Sequence, residues 1–236
     1  MEVFQFRERA NKMRSRIREI LAEPYKCILG YYLSLGLKLN RFDFPTGKWP
    51  PPTPARRYIN DFLSVYEGEV GGRCVEFAPP IYREKIGKGS SVTSYDVWDI
   101  RPGMDVTIVA DLQNASEVPD ASFDTIICTH VLCCIPRPWL AVAEIRRLLS
   151  PGGLVLCTNP VILQKYAPHP KDYWRFTRDS MEMLFSEFSK VKIHSYGNAV
   201  TVVASPFFLM SYHLPRRILQ MHDEYCPSII AVAAWK

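Results

Sequence analysis

The sequence predicts an α/β protein built on a doubly wound sheet of seven strands, and three observations carry that expectation. Residues 123–160, FDTIICTHVLCCIPRPWLAVAEIRRLLSPGGLVLCTNP, read as strand, loop, helix, glycine turn and strand. That is one βαβ crossover, from which a parallel sheet follows. Short apolar, β-branched runs recur from residue 73 onward with connecting segments between them. The chain is 236 residues long and 47% hydrophobic, enough for one large domain with an appendage.

Taken in order, residues 1 to about 38 read as mainly helical, with Tyr31, Tyr32, Leu33, Leu35 and Leu37 forming an apolar end. From Arg41 to Pro54, five prolines exclude a helix interior or a central strand, so this stretch reads as a connector. The expected division is therefore an N-terminal helical extension and Pro-rich connector over 1–54, followed by an α/β domain over 55–236. Ala55–Tyr66 recovers helical spacing through Tyr58, Phe62, Leu63 and Tyr66. Strands are expected at Arg73–Ala78, Val92–Val97, Val106–Leu112, Phe123–Thr129, Leu154–Thr158, Val191–Tyr196 and Ile229–Trp235. Leu140–Leu149 repeats apolar residues at helical spacing and stops at Pro151-Gly152-Gly153. Thr177–Phe185 reads as a short amphipathic helix capped by Thr177. A long segment joins the last two strands, which allows the terminal strand to enter antiparallel.

The bulk numbers narrow the partners. A net charge of +5 is modest, and its densest part is the N-terminus from Arg7 to Arg18. Spaced basic residues there suit a solvated helix face better than nucleic-acid binding, and no aromatic-basic reading motif supports RNA. Seven scattered cysteines form no disulfide framework, so a reducing, cytoplasmic location is expected. The first residues lack the basic-then-apolar order of a signal peptide. The longest uncharged span, Ser195–Pro215, holds polar residues and two prolines, which argues against a transmembrane segment.

In open parallel sheets a ligand lies beyond the carboxyl ends of the strands. Five places qualify: Glu76–Tyr82, Asp96, Asp111–Gln113, Thr129–Ile135 and Asn159 onward. Asp96 is read as the end of the second strand, where a carboxylate accepts bonds from ribose hydroxyls; a cap or an arginine partner is the alternative, with Asp99 in reserve. Asp111 is read as accepting from an adenine amino group while Leu112 supplies a backbone N–H; the alternative is an Asx turn. His130 follows the fourth strand and faces the cleft, as a functional histidine or as a satisfied loop residue. In HPKDYWRFT, Arg175 suits a carboxylate or phosphate, and Tyr173 and Trp174 offer stacking faces. Equally, the run braces the loop, with Arg175 pairing Asp172 and Trp174 in the core.

These residues together resemble the class I S-adenosylmethionine-dependent methyltransferases, in the small-domain group found beside glycan and natural-product biosynthesis. The resemblance runs from about Arg73 to the C-terminus and rests on SYDVWD, VADLQNA, FDTIICTHVL, AVAEIRRLLSPGGLVLCTNP and HPKDYWRFTRDS. It implies a Rossmann-like sheet of order 3-2-1-4-5-7-6 and S-adenosyl-L-methionine as cofactor, held by Glu76, Ala78, Asp96, Asp111, Leu112 and Thr129. It implies an acceptor side near Tyr82, Arg83, Tyr173 and Arg175, with His130 and His169 as base candidates. The acceptor is expected to be a small molecule or glycan precursor. A homodimer or a partner enzyme are both compatible with the N-terminal extension.

Two departures stand out. Such enzymes carry glycines after the first strand, whereas here VEFAPPIY puts Ala78 and Pro80 there, removing a backbone donor. Relatives often read Glu-His where this chain has Cys133-Cys134, read either as a base at Cys134 or as small packing residues. A zinc site is not expected, because the spacing lacks a two-cysteine knuckle. The departures motivate two rivals: a silent relative that acts by binding or regulating a partner, and an enzyme doing other chemistry on the same fold.

Overall fold

A computed structural model describes residues 53–86, 91–162, 170–205 and 209–236. His169 and residues 1–52 of the expected extension lie outside the described residues. Seven strands form one sheet: β1 (Gly72–Phe77), β2 (Val92–Asp99), β3 (Ile108–Val109), β4 (Phe123–Thr129), β5 (Leu149–Pro160), β6 (Lys190–Tyr196) and β7 (Ile229–Trp235). Their order is β3-β2-β1-β4-β5-β7-β6. The first five are parallel, and β7 enters antiparallel to both β5 and β6. The expected seven-stranded sheet, its order and its antiparallel last strand are all present.

Helix α1 (Pro54–Val65) forms because Thr53 caps it, its side chain accepting from Arg56 N–H at 3.2 Å, and Pro54 suits the first turn. Its Tyr58, Ile59, Phe62 and Leu63 are buried on one face of the sheet with Cys74, Ile127, Leu154, Leu156, Ala231 and Ala233. A single helical turn, α2 (Arg83–Ile86), follows the loop after β1, and the other face of the sheet is covered by α3 (Pro138–Leu148) and α4 (Arg178–Leu184). There Ala141, Ile145, Leu148 and Met181 pack with Val75, Ile126, Val155 and Val232. Alternation along each strand sends successive side chains to opposite layers, so both faces of the central strands are apolar. Thr177 caps α4 as expected, in a reciprocal box with Ser180.

Three boundaries differ from expectation for physical reasons. β2 runs on to Asp99, because Trp98 pairs with Phe77 and its indole N–H donates to Ala110 carbonyl at 2.9 Å. Asp96 therefore does not end the strand. β3 is only Ile108–Val109; after it, Asp111 forms the Asx turn, accepting from Gln113 N–H at 2.9 Å. β5 begins at Leu149, directly after α3, and shifts register before Leu154.

At the amino end of the sheet, Gly72 adopts φ +65° and a Cβ there would lie 2.3 Å from Asp124 Oδ2. That carboxylate cannot simply turn away: it accepts from Arg73 N–H at 2.8 Å, and Ser150 donates to its other oxygen at 2.7 Å. The Gly72→Ala change should lower stability by about 1–3 kcal/mol in urea denaturation. Gly68→Ala, where a Cβ meets nothing within 4 Å, should leave the midpoint nearly unchanged.

Candidate functional site

The carboxyl ends of β1, β2, β4 and β5 meet at one edge of the sheet, and the loops beyond them carry the polar residues. The central feature is Glu76, in the body of β1 and almost fully buried. Its carboxylate accepts from Tyr82 N–H at 3.0 Å and from Tyr95 O–H at 2.5 Å. Burial pushes the Glu76 carboxyl above its ordinary pKa, opposed by Tyr95 and the loop N–H groups. Burial, reinforced by the Glu76 charge, likewise raises the Tyr95 phenol.

That arrangement organises the loop after β1. Ala78 N–H donates to Trp98 carbonyl and Ile81 N–H to Pro79 carbonyl, both at 2.8 Å. Tyr82 N–H is held by Glu76, and Pro79 and Pro80 have no N–H to give. From Ala78 to Tyr82, every backbone donor already has an internal acceptor. Tyr82 is buried and its hydroxyl accepts from Arg56 Nη1, with the guanidinium carbon 5.5 Å from the ring centroid. Arg83 lies over the Tyr95 ring at 5.7 Å. Of the four residues expected on the acceptor side, two lie here: Tyr82 is buried within the fold and Arg83 is exposed.

Asp99 stands at the carboxyl end of β2, whereas Asp96 accepts from the Thr107 hydroxyl at 2.9 Å within the strand body. Asp99 Oδ1 accepts from Arg101 N–H at 2.9 Å. Asp111 is bound at both oxygens by the Gln113 amide at 3.1 Å. The Leu112 N–H beside it has no acceptor among the described residues.

Beyond β4, Thr129 leads into His130, which takes φ +56° and donates its N–H to Thr158 carbonyl at 2.7 Å. The ring Nε2 is buried. Burial, with the Arg56 and Arg175 charges nearby, lowers the His130 pKa to about 3. Cys133 and Cys134 follow in a short turn, their sulfurs 3.8 Å apart. The interaction with Cys133 lowers the Cys134 pKa, while the same contact and burial raise that of Cys133.

The run Asp172–Phe176 docks on this turn. Tyr173 and Trp174 N–H groups both donate to Cys133 carbonyl, and Trp174 Nε1–H donates to Ile135 carbonyl at 2.9 Å. Arg175 forms a fork with Asp172, at 2.6 and 2.8 Å. These are the bracing contacts of the two expected alternatives. Trp174 is nevertheless 39% exposed rather than core, and Tyr173 is 47% exposed. Both rings keep open faces beside the carboxyl edge.

S-adenosylmethionine, which the resemblance implies, presents a ribose diol, an adenine edge and a zwitterionic methionyl tail. Asp99 at a strand end and the open Leu112 N–H beside Asp111 suit the nucleoside half. The loop after β1 has its backbone donors internally satisfied, and Arg56 donates to the Tyr82 hydroxyl at its far end. The sequence singles out neither Arg56 nor Tyr95, and it gives Asp99 in reserve to Asp96; the contacts of all three with the loop or the strand end appear only in the fold.

The Methyltransferase domain family matches residues 90–157. Thiol S-methyltransferase TMT1B of Rattus norvegicus is 42% identical over 48 residues, 20% of this chain and 20% of that protein. The Homo sapiens protein of the same name is 30% identical over 69 residues, 29% of this chain and 26% of that protein. The matched stretch thus spans only a fifth to a quarter of these relatives' length. A SAM-dependent methyltransferase structure from Archaeoglobus fulgidus superposes with a TM-score of 0.52 at 14% identity, covering 77% of this chain and 94% of that one.

The depressed His130 pKa has a direct consequence. The unfolded chain takes up a proton near pH 6.5, while the folded ring resists until about 3. Protonation therefore favours the unfolded chain, and stability is lost as pH falls from 6.5 toward 3. In His130→Asn, chosen because asparagine tolerates positive φ, the dependence of stability on pH over that window should be flatter in chemical denaturation. An equally steep acid limb would show that His130 titrates normally.

Proposed function

We propose that this chain, whose seven-stranded sheet has the class I S-adenosylmethionine-dependent methyltransferase fold, is a methyltransferase that acts on a small nucleophilic molecule. The observation that carries the reading is the pairing at adjacent strand ends of Asp99 with the Asp111–Leu112 turn, at the edge where such sheets bind ligands. Asp99 accepts from the ribose hydroxyls. Leu112 N–H and Asp111 meet the adenine edge. Glu76 shapes the loop on which the methionyl tail rests, and Ala78 and Thr129 border it. When bound, the cofactor would supply a methyl group on a sulfonium, whose sulfur departs as a neutral thioether and needs no protonation. The chain's task is mainly to hold the acceptor in line and keep water away.

The acceptor side lies by Tyr173, Trp174 and Arg175. His130 with a pKa near 3 is too weak a base to activate an alcohol well near neutral pH. His169 remains the other base candidate from the sequence. Burial, aided by the Arg56 and Arg175 charges, keeps His130 neutral; the Arg56 charge also favours an anion, and a thiol ionises far more readily than an alcohol. The matches to thiol methyltransferases over short stretches point the same way. A thiol is therefore favoured over a glycan hydroxyl. Among the described residues no helix is long and apolar enough to cross a membrane. Six of the seven cysteines are described and all six are free, which agrees with a reducing cytoplasmic setting. A second reading, a binding protein without transferase activity, rests on the donor-poor loop after β1.

Calorimetry and a methylation assay decide between them. Asp99→Ala should weaken S-adenosylmethionine binding by about 10-fold or more, and Asp96→Ala should change it little. The reverse order would restore Asp96 to the ribose. Small aliphatic and aromatic thiols should be methylated at rates that rise with thiol ionisation, and matched alcohols should not react. Cofactor binding without turnover of any thiol, amine or alcohol would favour the binding-protein reading.

A further inference from the structure

We infer that Arg56 holds the carboxylate of the cofactor's methionyl tail, replacing the backbone donors that the loop after β1 no longer offers. The inference rests on the cofactor reading above. Every N–H from Ala78 to Tyr82 already has an internal acceptor, and Pro79 and Pro80 carry none. A carboxylate brought to this loop from water would lose its hydration without gaining a donor there, which is costly unless a charged partner replaces the water.

Arg56 is placed to be that partner. It lies in the first turn of α1, a helix capped by Thr53 and anchored to the sheet by Tyr58 and Phe62. Its guanidinium donates to the Tyr82 hydroxyl at the far end of the same loop and packs over the Tyr82 ring. It is close enough to the end of β4 to act electrostatically on His130. A guanidinium has five N–H donors and geometry suited to a carboxylate fork, and the Tyr82 contact uses one of the five. Neighbouring arginines are already matched: Arg175 by Asp172, and Arg57 by Asp61 at 3.6 Å. Arg56 has no carboxylate partner among the described residues. Recognition of the tail thereby passes from backbone to side chain, and from the sheet loop to the helix that precedes β1.

Two ligands separate this role from a structural one. S-adenosylhomocysteine carries the amino-acid tail; 5′-methylthioadenosine shares the nucleoside and sulfur but lacks the tail. In calorimetry on the full chain, Arg56→Ala should weaken S-adenosylhomocysteine by about 10- to 100-fold. Methylthioadenosine should bind within about threefold of the unsubstituted protein. Arg56→Lys, which keeps the charge but loses the fork, should fall between. Thermal unfolding of each variant reports whether α1 is still docked. Equal losses for both ligands, or unchanged S-adenosylhomocysteine affinity, would overturn the assignment of Arg56 while leaving the cofactor reading in place. If the unsubstituted protein binds neither ligand, the cofactor reading itself fails and this inference with it.

Discussion

A buried carboxylate governs the functional edge of this protein. Removing a charge from water costs several kcal/mol unless hydrogen bonds replace the solvent, and Glu76 is almost completely buried in β1. The chain satisfies it with the Tyr95 hydroxyl from β2 and the Tyr82 N–H from the following loop. The loop must therefore fold back over its own strand. Once it has done so, its N–H groups point inward, and Tyr82 is buried where its hydroxyl meets Arg56. The return of the loop and the burial of Tyr82 against Arg56 go with keeping Glu76 hydrogen-bonded, while the scarcity of backbone donors comes also from Pro79 and Pro80 and from the Ala78 and Ile81 bonds to Trp98 and Pro79 carbonyls.

The second governing condition is the sheet itself. With α1 on one face and α3 and α4 on the other, the central strands are largely apolar on both sides, with the buried Glu76 of β1 as the charged exception, and the loops at their ends carry most of the polar residues. Because β1 to β5 are parallel, their carboxyl ends share an edge. Residues far apart in the chain, from Asp99 to His130 and Asp172, gather there. At that edge His130 is buried, and its neutral ring is a poor proton acceptor. An acceptor that brings its own nucleophilicity suits such a site better than one that needs a base.

Much of this was legible in the chain. Strands β4 and β7 match their expected limits residue for residue, because apolar β-branched runs bounded by turn residues have few other stable conformations. The helix at 138–148 and the Thr177 cap were legible for the same local reason. The site was read less well. The sequence reading stops the second strand at Val97, which puts Asp96 near its end, with Trp98 and Asp99 beyond it. They remain in the strand because Trp98 finds Phe77 beside it and Ala110 as acceptor, and no local pattern records either contact. Asp111 reads from the sequence as the end of the third strand, but the strand stops at Val109, since the Asx turn offers its backbone a better arrangement.

The sequence by itself determined the fold class, the strand order through its resemblance, and the set of loops that carry polar residues. Those properties depend on local periodicity and turn chemistry, which a chain displays along its length. The tertiary structure alone decided which carboxylate stands at the end of β2, which donors the loop after β1 retains, and that Arg56 meets Tyr82. Each depends on what a side chain touches across the fold. The proline-bearing loop, which read as a loss at the level of sequence, is in the folded protein one half of a contact whose other half is an arginine from the preceding helix.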